Sequence, residues 1–352
     1  MRLVGHDMNE NERVEKPKNE IWKKIISIVF RCAFFAFILW FVFHKHYKEI
    51  YENISGMNLG VLAFILFLGA SYQLLGGVAF YYLTHKKHPN FTIGQSLESV
   101  YVSYFGTIAA FSVGAIPLRM YYLHRHNIDA GNAIGLINSD YILHKSAVLL
   151  CNTGLLLIVG RNFIKEQPYI LKYILYGYLV CLVIITVLVL VGFSEKVFHL
   201  AEKGISKIPE KKKWKTIKEK LLYYLNTMHE CGVEMKKNTG NNFRILFIHC
   251  VKLLVMYSVP YVCMKSMLNN NIAFWEMVML VGVSNLVSSA LPNVSGLGST
   301  ELAFMLVFSK FLEGSVVSST LVLYRFATYF FPFVISCIVF ASVQRKYKKG
   351  KK

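Results

Sequence analysis

Acidic side chains are scarce in this chain. Its 352 residues hold 20 Asp and Glu against 39 Lys and Arg, and charged residues of both signs make up only 17%. With 55% hydrophobic residues and a mean hydropathy of +0.43, a soluble domain is excluded and helices facing lipid are implied. Cysteine pairs at metal-ligand or disulfide-framework spacing are missing too. Cys32, Cys151, Cys181, Cys231, Cys250, Cys263 and Cys337 are widely spaced and lie mostly in apolar runs, where a thiol is a small buried hydrophobe. There is no Gly-x-x-x-x-Gly-Lys-Ser/Thr loop, no His-Glu-x-x-His and no Asp-rich metal loop, which excludes ATP hydrolysis by that loop and leaves no cofactor or metal to expect. No period of 20–50 residues marks a tandem repeat. Residues 1–20 are polar, so no cleavable signal peptide is expected and the first apolar run should remain as an anchor.

What is present is a series of apolar runs near 25–43, 59–83, 141–160, 169–192, 245–264, 275–292, 296–312 and 315–342, with a broken segment at 100–117. The expected fold is all-α: a polytopic helical membrane protein of about eight spans plus at least one broken or re-entrant segment. The net charge of +19 sits between the runs, which favours topology signals and anionic headgroups over nucleic acid. Six Lys and Arg lie in residues 1–24, twelve in 193–244 and six in 343–352, against two, three and one in 44–58, 161–172 and 265–274. This asymmetry predicts that both termini and the long loop are cytoplasmic, so the number of crossings must be even. Eight satisfy this if 100–117 dips in and returns while 296–312 crosses. The expected domains are a tail at 1–24, one transmembrane domain at 25–342 and a basic tail at 343–352. Within 193–244, Trp214, Ile217, Leu221, Leu225 and Met228 recur at helical spacing, predicting a basic amphipathic helix on the inner leaflet or on the end of the bundle.

Two apolar stretches are broken where they should be regular: Tyr101 to Arg119, and Leu291 to Glu301. Irregular backbone survives at membrane depth only when buried in protein or lining a cavity, and paired interruptions point to a translocation site. Gly114 and Pro117 free backbone groups beside Arg119, which suits a phosphate. Gly296 and Gly298 allow close backbone approach, and Glu301 occupies the next helix's first turn. Taken singly, Glu301 is equally a helix-start carboxylate, and Arg119 equally a snorkelling arginine. Other polar groups in apolar runs are Arg325 (with Thr328, Tyr329, Pro332 and Ser336), Asn285 (with Ser288, Ser289 and Pro292), and the set Asn138, Asp140, His144 and Lys145; each set is functional or merely glues helices together. The residues give a protein that binds and translocates a lipid, with Arg119 on the phosphate, Glu301 or Asp140 on an ammonium, and Arg325 balancing the carboxylate. The rivals are a membrane-bound acyl or aminoacyl transferase and a scaffold for a separate lipid-modifying transferase. His124 and Asp129 form a His-x-x-x-x-Asp pair, but no neighbour completes a base–orienter arrangement, so they are not read as catalytic.

The chain resembles the lysylphosphatidylglycerol synthase transmembrane-region family, which includes the flippase half of the bacterial multiple peptide resistance factor. The likeness rests on Phe111 through Arg119 to Ile128, and on Leu291-Pro292 through Gly296-Leu-Gly298-Ser-Thr-Glu301. Val294, Ser295, Asn127 and Pro117 depart from the family pattern. The resemblance implies movement of an aminoacylated phospholipid such as lysyl-phosphatidylglycerol to the outer leaflet of the cell membrane, with consequences for surface charge and cationic peptide resistance. In that family a soluble C-terminal domain performs the aminoacyl transfer. Only residues 343–352 follow the last predicted span, so a stand-alone member without that domain is expected.

Overall fold

The computed structural model describes residues 47–110, 113–209, 212–267, 273–291 and 298–349. The first apolar run at 25–43 lies outside these residues, as do Pro292, Val294, Ser295 and Gly296 and the side chain of Met228. Among the described residues every element is a helix. Five are long and apolar enough to cross a bilayer, and the chain is an all-α polytopic membrane protein.

Helix α1 (Tyr47–Ser55) precedes the first described span, α2 (Leu59–His85). Asn58 starts α2 by accepting the Gly60 N–H at 2.7 Å, which satisfies one of the N–H groups a helix start leaves free. Next comes a pair of shorter helices, α3 (Ile93–Ala109) and α4 (Ala115–His124), packed on each other. Thr92 and Gln95 form a reciprocal cap on α3. The arms meet through Gly106 and Gly114: a Cβ on Gly106 would lie 2.5 Å from the Gly114 carbonyl oxygen. Pro117 falls in the first turn of α4, where its missing N–H costs nothing. Phe91 before α3 touches His126 after α4, ring centroids 6.1 Å apart. The pair therefore enters and leaves on one face, as expected for 100–117.

Helix α5 (Ala130–Leu155) crosses and ends in a π-helical turn, Leu156–Gly160, which runs into α6 (Arg161–Glu166). The next span, α7 (Ile170–Phe193), turns Leu171, Leu175, Leu179, Leu182, Val183 and Val187 outward, the pattern of a lipid-facing helix. Two amphipathic helices follow, α8 (Glu195–Ser206) and α9 (Lys212–Lys237). Leu225, Cys231 and Met235 of α9 are buried, whereas Trp214, Ile217 and Leu221 remain exposed. The stripe read from the sequence thus divides between bundle and surface. Helix α10 (Thr239–Met267) crosses again and packs along α2, α5 and the later α11 and α13.

A second short pair then appears, α11 (Phe274–Ala290) and α12 (Ser299–Phe308). The expectation that 296–312 crosses is corrected here. Ten residues of helix span about 15 Å, half a hydrocarbon core, and α12 turns back along α11. Phe311 after α12 lies against Phe163 and Tyr169, beyond the end of α5, and Met279 near the start of α11 lies beside Gly160. Both ends of this pair are therefore on the face opposite that of the first. The last span is α13 (Gly314–Arg325), a second π-helical turn (Phe326–Phe330) and α14 (Phe331–Lys349). The described spans follow one plan twice in opposite directions: long helix, two-armed hairpin, then a span carrying a π turn. The long helices α2 and α10 pack together at the centre. Inverted repeats of this kind put binding sites at the repeat interface.

Candidate functional site

Each hairpin's second arm carries a buried charge, and each charge meets the span that follows. Arg119 lies just over one turn into α4, and its Nη1 donates to Asp140 Oδ2 of α5 at 3.0 Å. Its guanidinium stacks 3.8 Å from the Phe80 ring centroid, and its Nε donates to Ser99 Oγ at 3.4 Å. Glu301 is in the first turn of α12. Its Oε1 accepts from Arg325 Nε of α13 at 2.7 Å, and its Oε2 accepts the Gly298 N–H at 2.7 Å. Gly298 has φ +85°, a left-handed conformation that glycine adopts without the penalty a side chain brings. Arg119, Glu301 and Arg325 are buried, and Asp140 is partly buried.

The two ion pairs belong to one polar seam. Tyr72 of α2 is within electrostatic range of both Asp140 and Tyr324. Tyr324 of α13 neighbours Arg325 and Glu301 in the same sense. Tyr104 of α3 donates to the Tyr329 carbonyl at 3.1 Å, so the first hairpin reaches the π turn that follows Arg325. The Arg325 guanidinium lies 4.5 Å from the Tyr329 ring centroid. Burying such charges is costly unless each has a partner, and pairing them across helices fixes how the two hairpins sit against their spans.

The other residues singled out from the sequence are placed differently. Gly114 and Pro117 shape the turn before Arg119, and Pro117 is exposed rather than turned toward the seam. Ser289 donates to the Asn285 carbonyl at 3.0 Å, so its hydroxyl is satisfied within its own helix. Its neighbour Ser288 joins the hairpin arms instead, 3.1 Å from both Ser299 Oγ and Thr300 Oγ1. The π turn after Arg325 breaks the helical face drawn through Thr328 and Pro332. Asp129 caps α5 by accepting the Asn132 N–H at 3.0 Å, and that hydrogen bond holds its carboxyl below the ordinary carboxylate range. This gives the Asp of the His124–Asp129 pair a structural role.

Two basic residues of α10 were missed. His249 Nε2 is 3.3 Å from Asp140 Oδ1, off-line for a hydrogen bond and so an electrostatic contact. Lys252 is buried, with its ammonium 4.5 Å from the Tyr72 ring centroid. A His and a Lys three residues apart inside an apolar run was the available signal. The Asp140 end of the seam therefore gathers Arg119, Lys252 and His249 around one carboxylate, and Arg119 Nη2 has no hydrogen-bond partner among the described residues. Such a cluster can accept an anion, and it can trade the carboxylate's ion pair for one with a ligand.

Toward the basic face, a cavity of about 430 Å³ opens among Lys86, Lys87, Asp129, Glu230, Glu234 and Asn238. Ala79 of α2 and Ile245 of α10 belong to one apolar layer and stand, along their helices, between the level of this cavity and that of the charged cluster. Among the described residues no group of His, Cys, Asp and Glu is arranged to hold a metal ion.

A family model described as the lysylphosphatidylglycerol synthase TM region matches residues 28–336. No curated protein matches the chain.

Proposed function

Because the chain belongs to the lysylphosphatidylglycerol synthase TM-region family, a group of membrane proteins tied by name to that lipid's pathway, we propose that it carries a phospholipid between leaflets. The lipid in this reading is an aminoacylated phosphatidylglycerol whose headgroup holds both a phosphate and an ammonium. Arg119 takes the phosphate, with Lys252 beside it, and Asp140 or Glu301 takes the ammonium. Arg325 balances Glu301 while the site is empty of lipid. One observation supports this above the rest: two buried ion pairs, one on each of two oppositely entering hairpins, share a seam at bilayer depth. A headgroup that carries both a phosphate and an ammonium can meet each half of such a pair with the opposite charge.

The protein sits in the cell membrane with its basic face toward the cytoplasm, as the Lys and Arg distribution favours, and a separate transferase supplies the modified lipid. Lipid exposure then contributes to cell-surface charge and to resistance against cationic peptides.

The test uses the full chain alone in liposomes that contain labelled phosphatidylglycerol and its lysyl ester. Redistribution between leaflets with no new lipid species supports a carrier; new lipid made without a soluble partner supports a transferase. Arg119→Ala and Glu301→Gln are each expected to abolish redistribution while protein still reaches the membrane. Normal redistribution in both variants would defeat the assignment.

A further inference from the structure

Beside Asp140 lie two imidazoles that the lipid reading leaves without a task. His144 is one turn along α5 from Asp140, and its ring centroid is 5.4 Å from that of His249. Neither Nδ1 has a hydrogen-bond partner among the described residues. Buried polar atoms are nearly always satisfied, so each exception calls for an explanation. Histidine is the side chain whose charge ordinarily changes between about pH 5 and 8, and Asp–His chains at membrane depth mark proton pathways.

The surroundings decide what a proton would do there. Facing the two rings are Arg119 from α4, Asp140 and Lys145 from α5, and Lys252 from α10, with Tyr72 of α2 behind Asp140. Helix α7 contributes Cys181, near Lys145. Among the described residues, α9, α11 and α13 bring no charged group to either ring. While Arg119 holds Asp140, two cations already compete for one carboxylate, and a third positive charge on an imidazole is opposed. The phosphate of the headgroup reverses this balance. Arg119 swings its ion pair from Asp140 to the phosphate, and the carboxylate left behind, 3.3 Å from His249 Nε2, keeps Lys252 alone as a full cation beside it, so a proton on the imidazole pair is no longer opposed.

We propose that His144 and His249 form a proton-binding site linked to the lipid: the headgroup phosphate enters together with a proton, which settles on this imidazole pair and takes over Asp140 from Arg119. The step moves one proton from solvent to a ring nitrogen and creates an Nε2–H···Oδ1 contact, with no other bond made or broken. It rests on the lipid reading and adds to it a means of driving transport, since a proton gradient across the membrane then biases lipid movement.

The experiment is calorimetric binding of dioctanoylphosphatidylglycerol to the detergent-solubilised full chain, in two buffers that differ in heat of ionisation. The wild-type protein is expected to take up close to one proton per lipid. Its affinity should fall about tenfold per pH unit above the imidazole range. The paired substitution His144→Gln with His249→Gln should make the binding heat independent of the buffer. Ring ¹⁵N shifts of histidine-labelled wild type, free and lipid-bound, supply the same answer should that variant fold poorly. Binding with equal heats in both buffers and a flat pH profile overturns the proton site and leaves the lipid reading standing. Proton uptake that survives loss of both imidazoles also overturns it. No binding at any pH overturns the assignment of Arg119 to the headgroup phosphate, and the proton site with it.

Discussion

The two hairpins share a plan but hold their charges in different ways. Glu301 is gripped at both oxygens, by Arg325 and by the Gly298 N–H, each at 2.7 Å, and hydroxyls of Ser288, Ser299 and Thr300 tie the arms together behind it. Arg119 is held more loosely. One nitrogen meets Asp140 at 3.0 Å, another reaches Ser99 at 3.4 Å, and a third has no partner among the described residues. Asp140 in turn has His249 and Lys252 near it. A saturated pair behaves as a lock, because any exchange costs a strong hydrogen bond; an unsaturated one can exchange partners with a ligand. In the proposed carrier the first hairpin is therefore the better suited to exchange its partner for a ligand, and the second exchanges less readily.

Stability separates the two most sharply. Glu301→Ala leaves Arg325 buried without its carboxylate, and chemical denaturation in detergent is expected to register a loss of about 3–5 kcal/mol. Arg119→Ala should cost less, about 1–3 kcal/mol, since Asp140 keeps two basic neighbours. Leaflet exchange should nevertheless fall at least tenfold. Equal stability losses for the two would erase the distinction between lock and binding site. Ser288→Ala removes the link between the second hairpin's arms and should cost about 1 kcal/mol, with exchange in vesicles slowed rather than stopped.

The smallest effect tests the first hairpin's exit. Asp129→Ala should lower stability by about 0.5–1 kcal/mol, the ordinary worth of a helix cap. The Asn132 hydrogen bond lowers the Asp129 carboxyl in the folded state, so its contribution is present above the ordinary carboxylate range and fades as acidification passes through the folded value. The gap between wild type and variant should thus close on acidification. A gap that stays constant would show that the cap acts without its charge.

Much of this was legible from hydropathy alone. The runs at 59–83 and 169–192 match α2 and α7 closely, because a helix in lipid must satisfy its own backbone and its length is set by the bilayer. The breaks near Gly114 and Gly298 were legible for the same reason, and with them Arg119, Asp140, Glu301 and Arg325 as costly charges. Pairing was not, since nothing in spacing says that Arg119 meets Asp140 while Glu301 meets Arg325. That depends on which helices the hairpins fold against. The course of 296–312 was misjudged because an apolar run of that length is compatible with crossing, and only packing against α11 shows that it turns back. His249 and Lys252 were hidden inside a run read for its greasiness, and the π turns leave no mark in periodicity.

In the proposed carrier Arg119 and Asp140 act as one lipid-exchanging unit. Leaflet-exchange rates in proteoliposomes for wild type, Arg119→Ala, Asp140→Ala and the double variant measure this. Each single substitution is predicted to lose at least tenfold, with the double variant no slower than the slower single. Exchange at the wild-type rate in the double variant would contradict the account.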